Sequence, residues 1–387
     1  MLDTHDLDSF EPVARIVVIG IGGAGNNAVN RMIDEDIRNV EFYVANTDKQ
    51  ALSLSKAPNR IILGENITGG LGAGGDPNTG KDAAEASTEE IREIVRGANM
   101  VFIAAGMGGG TGTGAAPVIS KIAKDEGALT VAIVTRPFTF EGKKKVETSI
   151  QGLNELRKCC DALIVVSNDK LLLSSGNSPI SDAFSMADGV LSDSVKTVTD
   201  LILMPAFINL DFADVRATLK DSGVALIGFG SGSGPNNAIE AAESALSCPL
   251  IEQSIQGAQK AICHITCGPK VSLLDCQTCV DHMVYACGGN LDLKFGISVN
   301  DQLDDQILVS IIAGNFNTEF DFSVNPGTKI DLSELKAQRE KNLQDYYSKK
   351  AEQDKKLREQ EDSEENKDEA NLEESIIPEF LNDDSDM

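Results

Sequence analysis

No run of 18 consecutive apolar residues occurs in this 387-residue chain. A membrane-spanning helix is therefore not expected. The first dozen residues hold no basic cluster leading into an apolar core, so they do not read as a secretory signal. Basic charge is scarce as well. Thirty-four Lys and Arg stand against 60 Asp and Glu, a net charge of −26. That balance excludes the basic face a nucleic-acid binder needs and disfavours adsorption to an anionic membrane. A cytosolic protein is the expectation, and its eight cysteines are then expected to be reduced thiols. What is present suffices for real cores: 41% of the residues are apolar, and the length could hold two ordinary domains.

Glycine is concentrated in one place. Gly106-Met-Gly-Gly-Gly-Thr-Gly-Thr-Gly114 follows the apolar run Met100–Ala105 and precedes Val118–Ala123, which has the spacing of an amphipathic helix. Strand, glycine-rich turn and helix form a cradle for phosphate, because bare backbone N–H groups and the helix dipole both favour an anion. Thr111 and Thr113 can add hydroxyl donors. A flexible linker would not be flanked by apolar elements on both sides.

A second glycine loop lies earlier. Arg15–Ile19 reads as a buried strand, Gly20, Gly22 and Gly25 fit G-x-G-x-x-G, and Asn26–Ile33 reads as a helix. Glu41–Ala45 is a second strand. Asp48 sits about 20 residues beyond the last glycine, where a ribose-binding acid is found in dinucleotide folds. This half alone would suit a nicotinamide-dependent oxidoreductase, but such a domain has no use for the loop at 106–114. Gly75–Lys81 matches most of a P-loop, yet Asp82 stands where a Ser or Thr would hold magnesium, and no strand precedes it. Gly69–Gly75 reads better as a loop closing over a terminal phosphate.

Leu129–Val134 and Ala162–Ser167 continue the alternation of strands and helices, which implies a doubly wound parallel sheet with its ligand at the carboxyl ends of the strands. From Ser181 to Met204 one helix of about 35 Å is expected, ended by Pro205. Asn209-Leu-Asp211-Phe-Ala-Asp214 follows. The two acids are three apart and share one face of a starting helix. They either complement the helix dipole or form a carboxylate pair able to polarise a water or hold a cation.

Residues 221–325 read as a second α/β unit, with strands at Val224–Phe229, Ala261–Thr266, Leu291–Ile297 and Gln306–Ile312 and helices at Asn236–Ser247 and Leu273–Ala286. Cys263, Cys267, Cys276, Cys279 and Cys287 lie here beside His264 and His282. Cys276-x-x-Cys279 invites a zinc reading. Apolar periodicity favours buried, inert thiols instead. From Asp331 onward, 19 Asp and Glu meet 9 Lys and Arg, which predicts a disordered or weakly helical linker. Ile376-Ile-Pro-Glu-Phe-Leu381 interrupts it and reads as a short ligand for a partner's groove.

Gly108–Pro117 resembles the signature of the tubulin-type GTPases, and its wording is similar to that of the bacterial cell-division branch, the FtsZ family. The resemblance covers residues 13–325 and the last dozen residues. It implies an α/β fold of tubulin/FtsZ type: a Rossmann-like GTP-binding domain (13–180), a central helix (181–204), a catalytic loop with its following helix (205–220) and a second α/β domain with a mixed sheet (221–325). A flexible arm (1–12), an acidic linker (326–375) and a C-terminal peptide (376–387) complete it. Carried over residue by residue, phosphate contacts fall on Gly22, Gly23, Ala24, Gly25, Asn26, Gly109, Gly110, Thr111, Gly112 and Thr113. The nucleotide site also takes in Asn27, Asp48 and Ala73. Ribose and base contacts fall on Glu141, Lys145, Asn168, Phe184 and Asp188. Asn209, Asp211 and Asp214 are implied to activate hydrolysis of GTP to GDP, with Mg2+ on the nucleotide. Ile376, Ile377, Pro378, Phe380 and Leu381 are implied to dock on membrane-tethering adaptors at the mid-cell division ring. Three positions depart from the family's usual residues: Ala24 and Ala206 replace glycines, and Lys145 replaces an arginine. With the guanine at one end of the central helix and the acids past the other, the acids can reach only the nucleotide of a second copy. Head-to-tail contact of that kind does not close and makes a filament. A tubulin-like structural filament with negligible hydrolysis is the alternative.

Overall fold

Ile16–Ile21, Met100–Gly106 and Leu129–Arg136 are mainly apolar and are buried along almost their whole length, so these strands are covered on both sides. The computed structural model describes residues 14–175, 180–203, 206–248, 255, 257–287, 291–316 and 320–322. The expected N-terminal arm, the acidic linker and the peptide 376–387 lie outside these.

β1 (Ile16–Ile21) leads into α1 (Gly22–Asp34), β2 (Glu41–Asn46), α2 (Lys49–Ser53) and β3 (Asn59–Ile62). Then come α3 (Glu65–Thr68), α4 (Pro77–Ala86), α5 (Thr88–Val95), β4 (Met100–Gly106), α6 (Thr111–Asp125) and β5 (Leu129–Arg136). α7 (Lys143–Cys159), β6 (Ala162–Ser167), α8 (Asn168–Ser175) and α9 (Ile180–Leu203) follow. The last part holds α10 (Phe212–Leu219), β7 (Gly223–Gly232), α11 (Asn237–Leu246), β8 (Lys260–Cys267), α12 (Leu273–Ala286), β9 (Asp292–Val299) and β10 (Ile307–Gly314).

One sheet of ten strands runs through these elements, in the order β3-β2-β1-β4-β5-β6-β7-β10-β8-β9. Every pair from β3 to β7 is parallel. β10 runs antiparallel to β7 and β8, and β8 pairs with β9 in parallel. The mixed pairing expected of the second half is thus present. It continues the first sheet through Ala162↔Gly223, Leu163↔Val224 and Ile164↔Ala225 rather than forming a sheet apart. The order reverses between the neighbours β1 and β4, and this is the switch point at which doubly wound sheets open a crevice.

Two expectations need correcting. The helices begin earlier than their apolar periodicity suggested: α1 starts at Gly22 rather than Asn26, and α6 at Thr111 rather than Val118. The first N–H groups of a helix have no partner within it, so a glycine-rich first turn is free to face a ligand. A short strand, β3, was not expected, but it ends at Ile62 with α3 after it, so no strand leads directly into the stretch 75–81. That stretch is not a P-loop. Asp76 caps α4 by accepting from Asn78 N, and Pro77 occupies the first helical position.

α9 has 24 residues, a span of about 36 Å. Its buried Leu191, Val195 and Val198 pack in one core cluster with Ala28, Val29 and Met32 of α1. All eight cysteines are free thiols. Cys263, Cys267, Cys276, Cys279 and Cys287 are buried in the core under β8 and α12. Burial pushes the thiols of Cys276 and Cys279 up to about 12 and that of Cys287 to about 11, which favours their protonated form.

Asp161 fastens the joint between the parallel and mixed parts of the sheet. Its buried carboxylate accepts from Thr130 N at 2.9 Å and from Asp221 N at 3.4 Å. Lys124, near the end of α6, bonds Asp161 at 3.0 Å and Asp221 at 2.7 Å. Asp161→Ala strands a buried N–H and one arm of the lysine. A loss of about 2–3 kcal/mol in unfolding free energy is expected. Urea melts check this, and a loss under about 0.5 kcal/mol would contradict the clasp.

Candidate nucleotide site

The backbone defines this site before any side chain does. A Cβ placed on Gly25 would stand 2.2 Å from Ala104 O, and one on Gly112 would stand 2.5 Å from Gly106 O. Real side chains cannot be that close, so bare backbone lets the starts of α1 and α6 sit side by side over the ends of β1 and β4. Between them opens a cavity of about 290 Å³. Helix N-termini make one of its walls, with N–H groups and the positive dipole end available to an anion.

Of the residues assigned to phosphate, Gly22, Gly23, Ala24, Gly109, Gly110, Thr111 and Gly112 line the cavity, as do Glu141, Lys145, Asn168, Phe184 and Asp188 of the ribose and base set. Gly106, Met107, Gly108, Thr135, Pro137 and Ala187 line it too. The sequence reading passed over these, although most adjoin residues it did name. Gly25, Asn26, Asn27, Asp48, Ala73 and Thr113 are not brought to the cavity wall. Gly25 and Asn26 serve the turn itself. The Asn26 amide, turned to suit its partners, donates to Gly20 O at 3.1 Å and accepts from Asn46 Nδ2 at 3.3 Å. Asn27 is exposed. Asp48 caps α2 by accepting from Gln50 N and Ala51 N. Ala73 packs behind Gly110. Thr113 faces back into the protein, where its hydroxyl accepts from Gly108 N at 2.8 Å and braces the glycine loop from behind.

The opposite wall is polar and aromatic. Glu141 accepts from Phe138 N at 2.9 Å and from Lys145 Nζ at 2.9 Å. The pair fixes a lysine ammonium at the rim. Phe138 stacks on Phe140 at 4.9 Å and meets Phe184 edge-on at 5.1 Å. Phe184 keeps 44% of its surface open, enough for a flat ring to lie against it. The Asn168 side-chain oxygen is buried beside the cavity with no partner. A buried acceptor without a donor is costly, and a ligand hydroxyl or N–H would relieve it. Burial raises the Asp188 carboxyl to about 6, against the pull of Arg31. The methyl of Ala24, the first departure, lies over Gly106, where a Cβ would meet it at 2.6 Å.

Asn209, Asp211 and Asp214 lie elsewhere. None of them lines the cavity. Asn209 Oδ1 accepts from the N–H of Ala206 at 2.7 Å, so the alanine at 206 is held by a backbone bond that any residue can make. Asp211 caps α10 and accepts from Asp214 N at 2.8 Å. The loop before them is tied to the sheet edge, where Phe207 N donates to Ile297 O at 2.9 Å and Ile297 N to Ile208 O at 3.0 Å. Asp188 precedes the end of α9 by about four turns, so a helix length of about 22 Å separates it from the start of that loop.

Residues 15–175 match the model of the tubulin/FtsZ family GTPase domain, and residues 223–317 that of the FtsZ family C-terminal domain. The chain is 48% identical over 339 residues to the cell division protein FtsZ of Mycoplasmopsis pulmonis, with 88% of this chain and 87% of that protein covered. The chain belongs to the FtsZ family. Among solved structures it is similar to an empty FtsZ dimer of M. jannaschii, at 39% identity and a TM-score of 0.74, over 80% of this chain and 90% of that one. A GTPgS-bound protofilament of CetZ2 from Haloferax volcanii shares the fold, with a TM-score of 0.67 at 19% identity over 86% of this chain and 99% of that one. FtsZ membership makes this a cell-division protein with a GTP-binding, tubulin-type GTPase domain. No helix among the described residues is long and apolar enough to cross a membrane.

Proposed function

We propose that the cavity takes GTP or GDP and that copies of this chain stack head to tail. Hydrolysis then occurs where Asn209, Asp211 and Asp214 of one copy meet the nucleotide of the next. One observation carries the reading: the paired carboxylates lie past the far end of α9 from the cavity on the same chain, so neither half is a complete site. The same patch cannot serve both subunits of such a contact, and a contact of this heterologous kind propagates into a filament.

Within the cavity, the N-termini of α1 and α6 would hold the phosphates through Gly22, Gly23, Gly110 and Thr111, and Lys145, paired with Glu141, stands at the rim. Phe184 would stack on the base. Asp188, once ionised, accepts from the N1–H and amino group of guanine, which adenine lacks, so GTP is favoured over ATP. Asp211 and Asp214 would orient and polarise the attacking water from the adjoining copy. Among the described residues no three His, Cys, Asp or Glu side chains converge into a metal site. A magnesium ion, which would neutralise charge on the β- and γ-phosphates, would arrive with the nucleotide. The division into a GTP-binding domain and a C-terminal domain on either side of α9 belongs to the same proposal. So do docking of Ile376–Leu381 on an adaptor and residence at a cytoplasmic mid-cell ring.

Asp188 gives the proposal a pH dependence. In the unliganded protein a carboxyl raised to about 6 adds stability in full below about pH 4 and loses it as pH rises through about 6. GTP needs the ionised form, so the effect on binding runs the other way. Affinity is expected to fall about tenfold between pH 7 and pH 5. Asp188→Asn should bind weakly and without that slope. A wild-type dissociation constant unchanged over the range would contradict the role given to Asp188.

Shared catalysis is checked by mixing. Asp211→Ala should bind GTP and turn it over poorly, while Thr111→Arg should not bind GTP yet present an intact Asp211. Equal mixtures should recover part of the wild-type phosphate release, because some interfaces then pair bound GTP with a working carboxylate. If Asp211→Ala alone kept wild-type turnover, the carboxylate would have no part in the reaction.

A further inference from the structure

Thr47 sits just past β2 and is fully buried, although it carries a hydroxyl. Its Oγ1 lies 2.7 Å from Oγ1 of Thr111, the first residue of α6 and part of the cavity wall. Either oxygen could donate to the other on distance alone. Burial decides the direction. Thr47 Oγ1 has no solvent to turn to, whereas Thr111 is only partly buried and lines the cavity. A buried hydroxyl that failed to donate would leave its proton unpaired at a cost. With Thr47 donating, the Thr111 proton is left to point at whatever occupies the cavity. A hydroxyl aimed in advance at an anion makes a stronger bond than one that must first turn.

Thr47 is fixed by the other end as well. Its carbonyl accepts from Gly72 N at 3.1 Å and from Thr68 Oγ1 at 3.3 Å. That ties it to the loop 69–75, whose Ala73 would meet a Cβ on Gly110 at 2.9 Å. One residue thus joins the start of α6 to the loop expected to close over the terminal phosphate.

We infer that Thr47 is a positioning residue for the phosphate end of the nucleotide site: it donates to Thr111 and so turns the Thr111 hydroxyl toward the phosphates. The inference rests on the proposal that the cavity binds GTP. No glycine motif or acid pair signals it, because Thr47 never touches the cavity itself.

The test is a double-mutant cycle on the full chain, read by calorimetric titration with GTP. Thr47→Val keeps the shape and removes the hydroxyl, and it should weaken GTP binding about five- to tenfold. Thr47→Ser restores the hydroxyl and should bind within about twofold of wild type. Thr111→Val should also bind weakly, and adding Thr47→Val to it should cost nothing further, since Thr47 acts only through Thr111. Should Thr47→Val not fold, Thr47→Ala carries the same cycle. Wild-type affinity in Thr47→Val would overturn the inference, as would an undiminished effect of Thr47→Val in the Thr111→Val background. Absence of GTP binding by the wild-type chain would instead sink the nucleotide reading on which the inference stands.

Discussion

Two helix N-termini meet here with little but backbone between them, and the rest of the site depends on that contact. α1 and α6 both start tight against β4 because Gly25 and Gly112 present no Cβ to Ala104 O and Gly106 O, and they approach each other where a Cβ on Gly22 would stand 3.0 Å from Gly112 N. The same economy lets α4 lie against α6, where a Cβ on Gly114 would stand 2.0 Å from Pro77 O. The cost is several unpaired N–H groups gathered at one end of the sheet. An anion is the natural partner for such a gathering, because partial positive charges from two helices then act on the same point. Thr113 and Thr47 hold the arrangement from behind, one on Gly108 and the other on Thr111.

On the proposed reading, α9 is what separates the two halves of a shared site. Its Leu191, Val195 and Val198 share one apolar cluster with Ala28, Val29 and Met32 of α1. One end carries Phe184 and Asp188 to the cavity, and the other delivers the chain to Asn209, Asp211 and Asp214. Bonds from Phe207 and Ile208 to Ile297 at the edge of β9 fix where that delivery happens. The Lys124–Asp161–Asp221 clasp holds the far end of α6 to the same region. α6, whose start lines the cavity, and the loop bearing the carboxylates are thus held in one framework.

Much of this was legible in the sequence because it rests on strong patterns. Nine strands announce themselves as apolar runs, and the two glycine loops and the Asn209–Asp214 motif stand out by composition. β3 did not, since Asn59 and Arg60 are exposed and only Ile61 is buried. α4 was hidden by the glycines before it, although Asp76 followed by Pro77 is a helix start that could have been read. Helix boundaries at Gly22 and Thr111 were missed because residues chosen for close approach carry no apolar periodicity. Thr113 shows the limit of motif reasoning at the level of single atoms. The motif gives the residue, but only the structure shows that its hydroxyl turns inward.

If each subunit holds half a site, hydrolysis must disappear when subunits separate. The most direct measurement is phosphate release per subunit as the wild-type protein is diluted at saturating GTP. A shared site requires turnover to be constant well above the assembly threshold and to fall toward zero below it. Turnover per subunit that stayed level far below that threshold would show a complete site within one chain and contradict the account.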